Sequence, residues 1–299
     1  MSFSARCLLL LTLSAAAFAQ PTATIVGRVT DPTGAVVEGA VVTARNSATG
    51  VERSTVTTAT GDYEIPLLRI TGSYALVVSK NGFQTQEQTG IVLQVDQRAR
   101  FDIVMNVGAV AEKITIEAAA PIVNTETGSI GQVIGNKKIV DLPLNGRNFT
   151  QLASLLPNAI TSTGGTVGAT TVTVSGGRAS KTEFLLDGVS INEQLFDGVA
   201  LRPSVDAIQE FKVQANSFAA EYGRGNAVLN ATIKSGTNEF HGSVFEFLRN
   251  DKLDARNFFI PQKAPYRQNQ FGFALGGPVI RDRDFFFINY EGTRIRQGL

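Results

Sequence analysis

Between residues 22 and 107, apolar and polar residues alternate in short runs, broken about every 8–12 positions by turn residues. Ile25-Val26-Gly27-Arg28-Val29-Thr30-Asp31 runs into a turn at Pro32 to Gly34, and Gly39-Ala40-Val41-Val42-Thr43-Ala44 ends at Gly50. Thr60 to Pro66, Tyr74 to Val78 and Phe101 to Met105 repeat the pattern, with Asn81-Gly82-Phe83 as a further turn. A period of two puts successive side chains on opposite faces, so one face of each run is buried and the other solvated. Residues 22–107 therefore read as six or seven short strands of an antiparallel β-sandwich. With 29 glycines, no tryptophan and recurring Val, Ile, Thr and Phe, the whole chain reads as mainly β.

The 299 residues leave room for two or three domains. Lys+Arg 27 against Asp+Glu 26 gives a net charge of +1, which supplies no electrostatic footprint for a phosphate backbone and argues against a nucleic-acid partner. Arg6 precedes the apolar run Cys7-Leu8-Leu9-Leu10-Leu11-Thr12-Leu13, which ends at Ala17-Phe18-Ala19. That order reads as a secretory signal peptide over residues 1–19, too short for a membrane-spanning helix. Cys7 is the one cysteine, so the exported protein has no disulfide and no thiolate ligand.

The pattern Gly27 to Gly34, the segment Gly39-Ala40 with Val42, Gly61 with Tyr63, Ile65 and Pro66, and Gly82-Phe83 together resemble the carboxypeptidase regulatory-like domain. The resemblance implies a prealbumin-like β-sandwich over residues 22–107, grouped with carbohydrate-binding folds and without catalysis. Residues 108–128 then read as a linker with one alternating stretch, Glu112, Lys113, Ile114, Thr115, Ile116, Glu117 and Ala118. A lone strand there either closes the sandwich as an edge or docks on a partner strand. In the second reading it resembles the TonB box of outer-membrane transporters, which implies a TonB-type energy-transducing partner.

Residues 129–238 mix short strands with helical signals, as in a small α+β domain. Phe149, Leu152, Leu155 and Leu156 fall at helical spacing before Pro157, and Phe184-Leu185-Leu186-Asp187-Gly188-Val189-Ser190-Ile191-Asn192 reads as strand, tight turn, strand. Gly176, Gly177 and Arg178, then Leu186, Asp187 and Gly188, then Glu210, and finally Tyr222 and Gly223, resemble the plug domain of TonB-dependent receptors. Leu142-Pro143-Leu144-Asn145-Gly146-Arg147-Asn148-Phe149 narrows the resemblance to the Oar-like group of that family. One departure is Val174-Ser175-Gly176-Gly177-Arg178, where typical plugs carry Ile-Arg-Gly, so substrate contacts are not carried over.

Residues 239–299 hold three aromatic-rich alternating runs, Phe240 to Leu248, Gln270 to Pro278 and Asp284 to Glu291. They suit a transmembrane barrel and resemble the first barrel strands of the same group. A plugged transporter barrel has about 22 strands, of which this stretch supplies about three or four. The sequence thus reads as a fold of sandwich, plug and incomplete barrel: the front part of a longer transporter or a truncated product of one.

No catalytic constellation emerges. His241 is the one histidine and reads as a turn or strand-start residue, and Asp206 and Glu210, four apart, read as a solvated face. No cofactor and no metal site are expected. The resulting expectation is a non-enzymatic outer-membrane transporter for active uptake, with the plug gating the barrel and outer-membrane lipid around it. Its substrate class stays open, a glycan and an iron chelate among the candidates. The alternative is a secreted or periplasmic sandwich that binds a carbohydrate or a partner and transports nothing.

Overall fold

The computed structural model describes residues 21–108, 113–117, 130–156, 158–164, 169–178, 181–193, 198–215, 225, 227–256, 258–259 and 263–298. Residues 1–20, Glu112, Ala118, Tyr222 and Gly223 lie outside the described residues.

The first unit is built from β1 (Thr22–Thr30), β2 (Val41–Asn46), β3 (Glu52–Val56), β4 (Asp62–Arg69), β5 (Ser73–Ser79), β6 (Thr85–Val92), β7 (Arg98–Arg100), β8 (Ile103–Val104) and β9 (Lys113–Glu117). One sheet runs β4-β1-β7, with β8 also on β1, and the other runs β3-β2-β5-β6-β9. Inward positions of both sheets, among them Ile25, Val42, Leu76 and Ile91, are fully buried in one core. Each such side chain contributes about 1.5–3 kcal/mol. The Tyr63 hydroxyl donates to Phe101 O at 2.7 Å, and burial holds its proton on well above the usual phenol range.

The pairing is not wholly antiparallel. β7 and β8 run parallel to β1, and β9 runs parallel to β6. Strands joined by tight turns must be antiparallel, but β1 and β7 are joined through the opposite sheet, so no turn sets their relative direction.

The second unit holds β10 (Ile130–Gly135), α1 (Asn136–Asp141), β11 (Ala159–Gly164), β12 (Ala169–Val174), β13 (Thr182–Leu186), β14 (Val189–Ser190), β15 (Asn192–Glu193), β16 (Gly198–Val199), β17 (Ile208–Ala215) and β18 (Ala227–Ile233). Its main sheet runs β10-β17-β18-β13-β14. The expected helix after Asn148 is a 3-10 helix, Phe149–Leu155, whose Asn148 side chain accepts from the Thr150 N–H. Phe149 and Leu152, aligned by their spacing of three, enter the core, whereas Leu155, the last residue of the helix, stays exposed. Phe149 meets Phe211 edge-on, with ring centroids 5.9 Å apart.

The third unit is an antiparallel meander of β19 (His241–Asn250), β20 (Tyr266–Ile280) and β21 (Asp284–Gln297). On β20, Gln270, Gly272, Ala274 and Gly276 are buried, whereas Phe273 and Leu275 point outward. Small residues on one face and large apolar ones on the other suit a wall lying between the second unit and lipid.

Candidate functional site

The Asp187-Gly188 turn forms as expected, with φ of 50° and 82°, and β14 folds back on β13. Asp187 does more than turn the chain. Its carboxylate accepts from the Ile233 N–H at 2.9 Å, and the Asn230 side chain accepts from the Gly188 N–H at 3.3 Å. The hairpin tip is thereby tied to the end of β18, which runs parallel to β13. Burial raises the Asp187 pKa, opposed by the Ile233 N–H. Asp187→Ala is expected to cost about 1–3 kcal/mol, because the Ile233 N–H loses its acceptor. Chemical denaturation of the purified protein measures that loss.

A cavity of about 590 Å³ lies beside this turn, where all three units meet. Arg69 of the sandwich, Asp187 and Lys234 of the second unit, and Phe285 to Phe287 of β21 line it. Burial lowers the Lys234 pKa.

Arg147 sits at the join between the second unit and the β19–β21 wall. Its guanidinium pairs with Asp206, both side chains being less than a tenth exposed, and its Nε lies 3.9 Å from Glu291 Oε2. It also lies over the rings of Phe245 and Phe247, 4.6 and 4.4 Å from their centroids. The Gln270 side chain donates to Gly146 O at 3.3 Å, so the Asn145-Gly146-Arg147 turn grips the wall by backbone as well.

Glu210 and Lys212 lie on the face of β17 turned away from its own core. The Val95 N–H of the sandwich donates to Glu210 Oε1 at 2.5 Å, and Lys212 Nζ donates to Val95 O at 2.8 Å. Asp206 and Glu210 are therefore not a solvated face. Both are buried, one beneath the wall and the other beneath the sandwich, and Asp206 precedes β17 in a 3-10 turn rather than sharing a helix with Glu210.

The other residues singled out in the sequence are dispersed. Gly176, Gly177 and Arg178 form the turn that leaves β12, with the Gly177 N–H donating to Val174 O at 3.0 Å and Arg178 exposed. Leu186 packs against the second core. Lys113, Ile114, Thr115, Ile116 and Glu117 make up β9, an edge strand of the sandwich. His241 opens β19 as expected. Arg147, Asp206, Lys212 and Glu291 carry the contacts between units, and sequence spacing did not single them out for this. Among the described residues no group of acidic, histidine or cysteine side chains could hold a metal.

This series of sandwich, plug-like sheet and barrel wall agrees with the family profiles. A carboxypeptidase regulatory-like domain matches residues 24–106, a TonB-dependent receptor plug domain residues 124–228, and an outer membrane beta barrel domain residues 232–299. Over 94% of its length the chain is 30% identical to the TonB-dependent transporter Oar of Myxococcus xanthus. The chain belongs to the TonB-dependent receptor family, in its Oar-like group. That family is a non-enzymatic one of the outer membrane.

The chain spans 27% of the length of that relative. Among solved structures it is similar to the siderophore receptor PirA from Acinetobacter baumannii, at 24% identity and a TM-score of 0.40, over 56% of this chain and 24% of that one. It is also similar to a mutant of the ferric enterobactin receptor PfeA from Pseudomonas aeruginosa, at 18% identity and a TM-score of 0.40, over 57% of this chain and 25% of that one. In this chain, Arg147 joins the plug to the wall, and Glu210 with Lys212 joins the plug to the sandwich.

Proposed function

We propose that this chain supplies the sandwich, the plug and the first wall strands of a TonB-dependent outer-membrane transporter. In this reading the plug closes the barrel lumen, and a TonB-type partner opens it by pulling on β9. The observation that carries the reading is the order of the edges. β9 is the last strand of the sandwich sheet, and the next described strand along the chain, β10, is the edge of the plug sheet. Tension on β9 therefore reaches a strand held on one side only, by its pairing with β17. An edge strand detaches by breaking a single ladder, so the plug can open locally while its core stays folded.

The same position supports Lys113–Glu117 as the docking segment, with Glu112 and Ala118 as its flanks. Among the described residues no strand pairs with the outer edge of β9, and an unpaired edge takes up a partner strand. Proline at Ile114 or Ile116 removes one N–H from that edge or from the ladder with β6. Either substitution is expected to weaken binding of the partner's periplasmic domain at least tenfold, measured on the receptor in detergent. Undiminished binding by both proline variants would remove β9 from the coupling route. A disulfide between Glu87→Cys and Thr115→Cys, which face each other in the register, then shows whether β9 stays on β6 when the partner binds.

A further inference from the structure

The polar face of β17 is covered by a single turn of the sandwich. Along this strand Phe211 and Val213 point into the plug core, while Glu210 and Lys212 point the other way and meet Val95. Glu210 takes the N–H of that residue and Lys212 takes its C=O, so two side chains satisfy one peptide residue completely. Lys212 Nζ also lies 3.6 Å from Asp96. Glu210 and Lys212 are 7% and 9% exposed, and Val95 is 1% exposed.

The turn is built to present that residue. Asp96 holds a φ of 54°, the Gln97 side chain accepts from the Gln94 N–H at 2.8 Å, and the Asp96 N–H donates to Thr22 O at 3.0 Å. A second tether lies farther along: the Asn238 N–H donates to Ala48 O at 2.9 Å, and its side chain exchanges hydrogen bonds with Asp282.

We propose that Glu210, Lys212 and the Val95 peptide form a releasable, proton-sensitive joint that docks the sandwich on the plug sheet. Charged groups facing Glu210 are Lys212 on its own strand and Asp96 on the sandwich turn, while its neighbours across the ladders, Gly135 and Thr232, are uncharged. Burial dominates, raising the Glu210 pKa to about 7 against the opposing pull of the Val95 N–H and Lys212, with Asp96 adding to the rise.

The sign follows from linkage. A carboxyl whose pKa is raised on docking favours the docked state most when protonated. Docking is strongest below the ordinary glutamate pKa, near 4.5, and weakens as pH rises through about 7. The protonated carboxyl keeps an oxygen that accepts from Val95, whereas the ionised one retains a charge shut away from water. Between pH 5 and 8 the docking constant is expected to fall on the order of fiftyfold.

Hydrogen exchange of the turn at residues 93–97 tests this on the receptor purified from outer membranes in detergent, with rates corrected for the intrinsic effect of pH. Protection of the Val95 N–H, the turn amide bonded across the joint, should fall on the order of fiftyfold between pH 5 and 8, while strand β5 of the same sandwich keeps its protection. Glu210→Gln retains the oxygen that accepts from Val95 and cannot ionise, so its turn should stay protected across the range. The proposal is overturned by a flat profile in the wild-type turn, by an unchanged slope in Glu210→Gln, or by β5 losing protection together with the turn. In the last case the sandwich would be unfolding rather than undocking.

Discussion

Replacing Arg147 with methionine is expected to destabilise the plug against the barrel wall by about 3–5 kcal/mol, the effect of removing one partner from a buried ion pair. Asp206 would lose its guanidinium partner in a site less than a tenth exposed, leaving the long contact from Ser243 at 3.4 Å and the charge of Lys234 nearby. Phe245 and Phe247 would lose the planar cation that lies over both rings. Lysine does not restore the arrangement, because a point charge cannot stack on two rings and pair with Asp206 at the same time. Denaturant unfolding of the plug, followed by protease sensitivity, measures the loss. Adding Asp206→Asn to Arg147→Met should recover a large part of it, since the stranded charge is then gone. A single Arg147→Met variant within about 1 kcal/mol of wild type would show the pair to be incidental.

Gly27→Ala is the second large effect, and it acts on the sandwich. β1 is paired with β4 on one side and with β7 and β8 on the other. Between β7 and β8 the Phe101 carbonyl comes inward, and a Cβ at Gly27 would stand 1.8 Å from its oxygen. The chain on both sides of Gly27 is tied to that same segment: the Phe101 N–H donates to Val26 O at 2.8 Å, and the Asp102 carboxylate accepts from the Arg28 N–H at 2.9 Å. The added methyl therefore forces β7–β8 away from β1 and breaks the Tyr63 bond to Phe101. A loss above about 4 kcal/mol is expected, at the diagnostic end of single substitutions. Gly34→Ala is the control, because its φ of 87° strains an alanine while nothing lies within reach of its Cβ. It should cost only about 1 kcal/mol. Thermal melts of the two variants side by side decide the matter: a Gly27→Ala melting point as high as that of Gly34→Ala would contradict the steric argument.

The sequence by itself determined what is local. Alternation along Tyr74 to Val78 places Tyr74, Leu76 and Val78 in the core, because side chains of a strand alternate whatever surrounds it. Asp187-Gly188 makes a turn because both positions take positive φ, which that pair tolerates. The family-wide strings fixed the order of sandwich, plug and wall. The tertiary structure decided everything that depends on one unit meeting another. The parallel placement of β7, β8 and β9 was not legible, because no tight turn joins them to their partners. Asp206 and Glu210 resembled a solvated face because polar residues on a strand or turn carry no mark of what covers them. Here the cover for Glu210 comes from Val95, 115 residues away, and the cation for Asp206 from Arg147, 59 residues away. Burial by a distant part of the chain leaves no period in the sequence, and that burial is what turns Asp206, Glu210 and Arg147 into joints.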